Sequence, residues 1–123
     1  MKDKRIGVVG LGRMGANMAR RMKDCGYAVS QVFDVSKELA ASLAEELGAT
    51  AASSLNAVTS GADIILTVVT DDRAMDAIFF GQDNLFDNSS GKLFVNCATV
   101  TPDMHRKIDS EAEKRGASSL EAC

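Results

Sequence analysis

Short apolar runs alternate with longer segments of helical periodicity along the chain. Runs rich in valine, isoleucine and phenylalanine are typical of buried strands, whereas apolar residues that recur three and four positions apart indicate helices. The pattern predicts strands at residues 5–9, 28–33, 49–51, 64–69, 93–96 and 119–122. It predicts helices at residues 14–25, 37–47, 54–59, 71–80 and 101–115. Repeated strand and helix units of this length favour an α/β fold, a doubly wound and mostly parallel sheet with helices on both faces.

Periodicity also predicts which positions are buried and which cap helices. Leu39, Leu43 and Leu47 recur at every fourth position, so we expect them to form one stripe that faces the sheet. Asp71 and Asp72 open the fourth predicted helix, and both are predicted to cap it. Residues 81–91 are rich in aspartate, asparagine, serine and glycine, which predicts a polar surface loop.

Composition narrows the classes of protein that the chain can represent. With 46% hydrophobic and 25% charged residues, it has the make-up of a globular domain. A net charge of −3 with both signs mixed argues against nucleic acid or a membrane surface as the main partner. The apolar runs are shorter than a membrane span, and the first predicted strand begins at residue 5, so we expect neither a membrane-spanning segment nor a signal peptide. Because no repeat or linker interrupts the pattern, we expect one domain over residues 1–123.

The cysteines bear on compartment and on metal binding. Cys25, Cys97 and Cys123 lie far apart, and the chain has one histidine, His105. An odd number of cysteines at wide spacing predicts reduced thiols in a cytoplasmic protein. Zinc sites need clustered cysteine and histidine ligands, so we expect no metal site.

A glycine-rich turn follows the first strand and leads directly into the first helix. Gly10, Gly12 and Gly15 match the spacing G-x-G-x-x-G of Rossmann-type dinucleotide-binding domains. In that pattern one glycine permits the tight turn, the next lets the backbone approach a diphosphate, and the last lets the helix pack close to the strand. We therefore predict a cofactor cradle, with the diphosphate at the helix N-terminus, made by Gly10, Leu11, Gly12, Arg13, Met14 and Gly15.

Asp34 follows the second predicted strand, about 20 residues past Gly15, where dinucleotide-binding domains carry the acid that accepts hydrogen bonds from the adenosine ribose. A carboxylate favours NAD, because it would repel the 2′-phosphate of NADP. Val35 stands next to it and is not the arginine that often accompanies NADP, although Lys37 softens the preference. The competing interpretation of Asp34 is a strand-end acid or helix cap ahead of Ser36.

Beyond the glycines, the sequence resembles the β-hydroxyacid dehydrogenase family, which includes 3-hydroxyisobutyrate dehydrogenase and tartronate semialdehyde reductase. Residues 10–19 are similar to its fingerprint G-L-G-x-M-G-x-x-M-A, and residues 96–102 to its D-x-S-T-x-x-P segment. Residues 120–123 resemble the strand that leads into its substrate loop. The resemblance implies hydride transfer between NAD and a small 3-hydroxy acid, with Val69, Thr70 and Thr99 beside the cofactor.

The family's catalytic segment is expected outside these residues, and the sequence departs from the family's motifs in two places. The family's catalytic lysine would lie beyond Cys123, in a helical domain that shapes the substrate pocket and the homo-oligomer, so we assign no catalytic residue here. Ala98 replaces a serine that contacts substrate, and Val69-Thr70 replaces Leu-Pro. Thr99 has a competing interpretation as the cap of the helix that opens at Pro102.

Two other functions remain open on the sequence. One is a module that binds or senses NAD without chemistry. The other is an imine reductase, because imine reductases share this glycine pattern, although they typically prefer NADPH and Asp34 argues against that cofactor. On the leading hypothesis residues 1–123 bind NAD without turnover, and an apolar surface that the helical domain normally covers promotes self-association.

Overall fold

The computed structural model describes residues 3–122, in which strands and helices alternate as predicted. Each element lies within two residues of its predicted bounds. The strands are β1 Arg5–Val9, β2 Ala28–Phe33, β3 Thr50–Ala51, β4 Ile64–Thr67, β5 Leu93–Asn96 and β6 Ser118–Glu121. The helices are α1 Arg13–Asp24, α2 Lys37–Leu47, α3 Leu55–Ser60, α4 Asp72–Phe80 and α5 Pro102–Lys114. Among these helices none has the length and apolar character needed to cross a membrane.

The strands form one six-stranded sheet in the order β3-β2-β1-β4-β5-β6. Every pairing is parallel, and Val8 at the centre of β1 lies between Val32 of β2 and Leu66 of β4. The chain winds outward from β1 in one direction and then returns to wind outward in the other. The strand order therefore reverses between β1 and β4, which is where doubly wound sheets open a crevice for ligands.

Helices cover both faces of the sheet, as the sequence predicted. Alternate side chains of a strand point to opposite faces, so Val8 and Val9 belong to different cores. Val8 packs with residues of α1 and α2, whereas Val9, Ile65 and Phe94 pack with residues of α3, α4 and α5. The predicted fold class is confirmed.

The predicted leucine stripe of α2 is wrong at one position. Leu43 and Leu47 are buried, but Leu39 is 48% exposed and Ala40 takes its place against the sheet. An α-helix has about 3.6 residues per turn, so a row of every fourth residue winds slowly around the axis and leaves the buried face. Ala40 lies three residues before Leu43 and returns to that face.

The segment between α4 and β5 is not the polar surface loop that its composition predicts. Leu85 and Phe86 are buried, and the Phe86 ring lies 4.8 Å from the Phe79 ring and 5.5 Å from the Phe94 ring, centroid to centroid. The side-chain oxygen of Asn84 accepts hydrogen bonds from the backbone amides of Phe86 and Asp87. The polar residues therefore shape a turn that inserts two apolar side chains into the core.

Candidate functional site

Two adjoining clefts open at the carboxyl ends of β1 and β4, where the strand order reverses. The β2-side cleft has a volume of about 310 Å³ and the β5-side cleft about 270 Å³. Both are lined by Gly12, Val68, Val69 and Thr70. The β2-side cleft adds Val9, Gly10, Phe33, Asp34, Val35, Ala74, Ala77 and Ile78. The β5-side cleft adds Arg13, Met14, Gly15, Cys97, Ala98 and Thr99.

Nine of the ten residues predicted to contact a cofactor line these two clefts. The exception is Leu11, whose side chain is buried in the core beneath α1 and α2. Leu11 contributes its backbone amide, which donates to Asp34 over 2.7 Å. The structure therefore brings together residues that are as far apart in the chain as Gly10 and Thr99.

Gly10 and Gly15 are required by the protein itself. Gly10 has a φ of +96°, and a side chain there would overlap the carbonyl group of Val68, whose carbon would lie 2.8 Å from the added Cβ. A side chain at Gly15 would overlap the carbonyl group of Gly10, with the carbon 2.9 Å away. Glycine at position 10 lets the turn pack against the backbone of Val68, just after β4. Glycine at position 15 lets α1 pack against the turn.

Gly12 is different, because nothing in the described structure requires a glycine there. Its φ is −65°, which any residue can adopt, and an added Cβ would meet no atom within 4 Å. Gly12 is also the N-cap of α1, and no side chain caps that helix or places an acid in its first turn. The space left by the missing side chain therefore lies where the first amides of α1 can bind an anion, and the donor set fits a diphosphate.

Asp34 uses both carboxylate oxygens to hold the backbone. One oxygen accepts from the amide of Leu11 over 2.7 Å, and the other accepts from the amide of Ser36 over 2.9 Å. Asp34 therefore organises the turn before α2, whose N-cap is Ser36, and it also lines the β2-side cleft, so its contact with a ribose stays a prediction. A carboxylate has about four lone-pair directions, so two remain for a ligand.

The two threonines of the site both line the β5-side cleft. Thr70 follows β4 and Thr99 follows β5, and both are exposed. The competing interpretation of Thr99 as a helix cap is wrong, because the N-cap of α5 is Thr101, whose hydroxyl accepts from the amide of Met104. Pro102 starts α5, so the extended cap residue is the one immediately before it.

Only one of the two aspartates predicted to cap α4 does so. Asp71 is the N-cap, and its carboxylate accepts from the amide of Ala74 over 2.9 Å. The carboxylate of Asp72 turns away from its own helix and accepts from the amide and the hydroxyl of Thr101, at 2.8 and 2.7 Å. These hydrogen bonds lower the pKa of Asp72 below its usual value.

Sequence analysis missed the part of the β2-side cleft that α4 provides. Ala74, Ala77 and Ile78 lie at positions i, i+3 and i+4 and present one face of the helix to the cleft. The signal was available, because α4 follows the strand next to the topological reversal and its first turns must border the crevice.

Among the described residues, no group of three histidine, cysteine, aspartate or glutamate side chains could hold a metal ion.

Comparisons with known proteins agree with this geometry. The protein family described as the NAD binding domain of 6-phosphogluconate dehydrogenase matches residues 5–123. An NAD-dependent L-serine dehydrogenase of Pseudomonas aeruginosa is 32% identical over 97% of this chain and 40% of its own length. A 3-hydroxyisobutyrate dehydrogenase of the same organism is 30% identical over 95% of this chain and 39% of its own length.

Among solved structures, an imine reductase from Myxococcus stipitatus in complex with NADP+ superposes with a TM-score of 0.83 and 28% identity. That match covers 95% of this chain and 39% of the reductase. The chain thus spans about 40% of the length of the curated relatives. The resemblance to the 3-hydroxyacid dehydrogenases is confirmed, and the chain belongs to the family of NAD binding domains described for 6-phosphogluconate dehydrogenase.

Proposed function

We propose that this chain is the cofactor-binding domain of an NAD-dependent oxidoreductase that acts on a small 3-hydroxy acid such as 3-hydroxyisobutyrate. The observation that carries the proposal is the open space at Gly12, between two clefts at the N-terminus of α1. A nicotinamide dinucleotide has two nucleoside halves joined by a diphosphate, and the site offers two clefts joined by an anion cradle. When bound, this cofactor supplies or accepts a hydride.

Each half of the cofactor has a cleft of suitable chemistry. The β2-side cleft is mostly apolar and has one carboxylate, Asp34, at its mouth, so it suits an adenine ring and its ribose. The β5-side cleft has the hydroxyl-bearing residues Thr70 and Thr99, so it suits the nicotinamide half. Met14 stands 63% exposed at its edge and leaves apolar surface beside the reacting end of the cofactor.

One curated relative is NAD-dependent, and solved imine reductases are complexed with NADP+ or NAD+; for this chain we assign NAD. Asp34 would lie beside the 2′ position of the adenosine ribose, where a carboxylate accepts from a hydroxyl and repels a phosphate. Val35 is 93% exposed next to it and offers no positive charge to a phosphate. Lys37 is exposed on the first turn of α2 and reduces the preference without reversing it.

Parallel titration calorimetry with NADH and NADPH tests the assignment. We expect NADH to bind at least about tenfold more tightly, a difference of ~1.4 kcal/mol. Equal or tighter binding of NADPH would overturn the choice of cofactor. No heat with either dinucleotide, from a protein shown to be folded, would overturn the proposed function.

Replacing Asp34 by alanine is expected to weaken both cofactors. The variant loses the two hydrogen bonds that hold Leu11 and Ser36, so the cradle is less ordered before any ligand arrives. Hydrogen bonds to a charged group are worth ~1.5–3 kcal/mol each, and we expect the NADH dissociation constant to rise at least about tenfold. The rise for NADPH is smaller, because the repulsion of its 2′-phosphate is also removed. Calorimetry with both ligands measures the two effects.

Asp63 provides a control for Asp34. Its carboxylate also accepts from a backbone amide, that of Arg5 over 2.8 Å, and it lies just before β4 and lines neither cleft. The Asp63→Ala variant should lose stability but keep the NADH affinity of the parent protein. An Asp34→Ala protein that binds NADH as tightly as the parent would refute the role of Asp34.

We propose that catalysis needs a group that lies outside the two clefts. Lys92 donates to the carbonyl oxygen of Ala62, and Lys107 pairs with Asp76, so both are engaged elsewhere. No described lysine lines either cleft. We therefore propose that residues 1–123 bind NAD without oxidising 3-hydroxyisobutyrate, with the catalytic lysine and a helical, oligomer-forming domain supplied by further sequence.

Two other functions have specific support. The likeness to an imine reductase in complex with NADP+ favours an imine substrate, and tighter NADPH than NADH binding would select it. A module that binds or senses NAD without chemistry predicts dinucleotide binding with no turnover in the natural full-length protein. For each of these functions we propose that the protein acts in the cytoplasm, a reducing compartment, and that its partner is a small molecule.

A further inference from the structure

The loops after β4 and after β5 both border the β5-side cleft. Thr70 belongs to the first loop and Thr99 to the second, and both line the cleft. The relative position of the two loops therefore contributes to the shape of this cleft. The chain has one proline, Pro102, so no proline ring restrains the backbone of the loop that contains Thr70.

One side chain ties the two loops together. Asp72 is the first residue of α4 and lies two positions after Thr70, while Thr101 lies two positions after Thr99. The carboxylate of Asp72 accepts from the amide nitrogen of Thr101 over 2.8 Å and from its hydroxyl over 2.7 Å. Two hydrogen bonds to one residue fix orientation as well as distance, because both donors must point at the same carboxylate.

Asp72 does not contribute to the cap of its own helix. Asp71 fills that position and bonds only within α4, to the amide of Ala74. Two adjacent aspartates therefore have separate partners, one local and one on the neighbouring loop. The lowered pKa of Asp72 agrees with a carboxylate that stays ionised and keeps both bonds at neutral pH.

We propose that Asp72 is a positioning residue for the nicotinamide half of the cofactor. By bonding Thr101 it holds the loops of Thr70 and Thr99 at a fixed separation and so keeps the β5-side cleft open to a nicotinamide ring. Asp72 lines neither cleft and acts through the two loops. This inference rests on the proposed function. It adds a residue that affects binding of the nicotinamide half of the cofactor and not of the adenosine half.

Comparing NADH with ADP-ribose separates positioning from general stability. ADP-ribose has the adenosine, the diphosphate and a ribose but no nicotinamide, so it reports on the cradle and the β2-side cleft. In the 123-residue chain, Asp72→Ala should raise the NADH dissociation constant about tenfold and leave that of ADP-ribose within about twofold. A merely structural role would weaken both ligands equally, and that result would overturn the proposal. So would unchanged NADH binding.

Three further variants complete the test. Asp71→Ala removes the N-cap of α4 without releasing Thr101. It should destabilise the protein and leave the ratio of the NADH and ADP-ribose dissociation constants unchanged. Asp72→Asn can still accept from the amide of Thr101 and should restore most of the NADH affinity. Thr101→Val keeps the bond from its amide and loses the bond from its hydroxyl, so it should raise the NADH constant by a smaller factor. If Asp72→Ala does not fold, Thr101→Val replaces it as the test. An unchanged NADH dissociation constant in Thr101→Val would then overturn the proposal.

The control ligand also separates this inference from the function on which it rests. If the parent protein binds ADP-ribose and NADH, the proposed function stands whatever the Asp72 variants do. If a folded parent protein binds neither ligand, the proposed function fails and the positioning role fails with it.

Discussion

Replacing Gly12 by alanine is expected to abolish dinucleotide binding in a protein that still folds. The added Cβ meets no protein atom within 4 Å, and the φ of −65° suits alanine. Alanine is a poor N-cap, which costs about 1 kcal/mol of stability or less. The methyl group would instead occupy the space where a diphosphate approaches the first amides of α1. We expect the NADH dissociation constant to rise at least about 100-fold, measured by calorimetry beside thermal unfolding.

Gly15→Ala is the contrasting variant, from the same turn. Its Cβ would overlap the carbonyl group of Gly10, so either α1 or the turn must move. Overpacking of backbone against backbone has no flexible side chain to absorb it, and we expect a loss of about 3 kcal/mol or more in the free energy of unfolding. Parent-like NADH affinity in Gly12→Ala, or parent-like stability in Gly15→Ala, would contradict this division of roles.

Replacing Phe86 by alanine should cost about 3–5 kcal/mol in the free energy of unfolding, which for a domain of this size approaches the whole stability. Phe86 is 1% exposed and contacts the rings of Phe79, Phe80 and Phe94, so the truncation leaves a cavity that these rings cannot collapse to fill. Urea denaturation followed by circular dichroism measures the change.

Gln82→Ala is the control in the same loop. Gln82 is exposed, and its truncation should change the free energy of unfolding by less than about 0.5 kcal/mol. Phe86 lines neither cleft, so any Phe86→Ala protein that remains folded should bind NADH as the parent does. A fall of less than about 1 kcal/mol in Phe86→Ala would show that the loop does not complete the core.

Phe86 also marks the limit of prediction from the sequence. Strands and helices were predictable because their apolar residues recur with a clear period, and the parallel sheet followed from the repeated strand and helix units. Leu85 and Phe86 are only two apolar residues within a polar segment, too few to show any period. Their burial depends on Asn84, which turns the backbone inward, and on neighbours from α4 and β5.

The candidate site divides in the same way. The glycine turn and Asp34 were predictable, because their spacing along the chain reflects one strand-helix-strand unit. The bonds from Asp34 to Leu11 and from Asp72 to Thr101 were not, since each joins residues that are distant in sequence. Such contacts depend on how two loops meet in space, and a local pattern of residue types does not contain that information.

The central position of β1 has a consequence for how the protein is made. Arg5, at the start of β1, bonds Asp63, which is 58 residues further along the chain. Contacts of such long range form late in folding, because the intervening chain must first be brought together. Gly10 turns against Val68, so the phosphate-binding turn has its supporting wall only after β4 has left the ribosome. During translation, the segment that comes first is therefore among the last to reach its final shape.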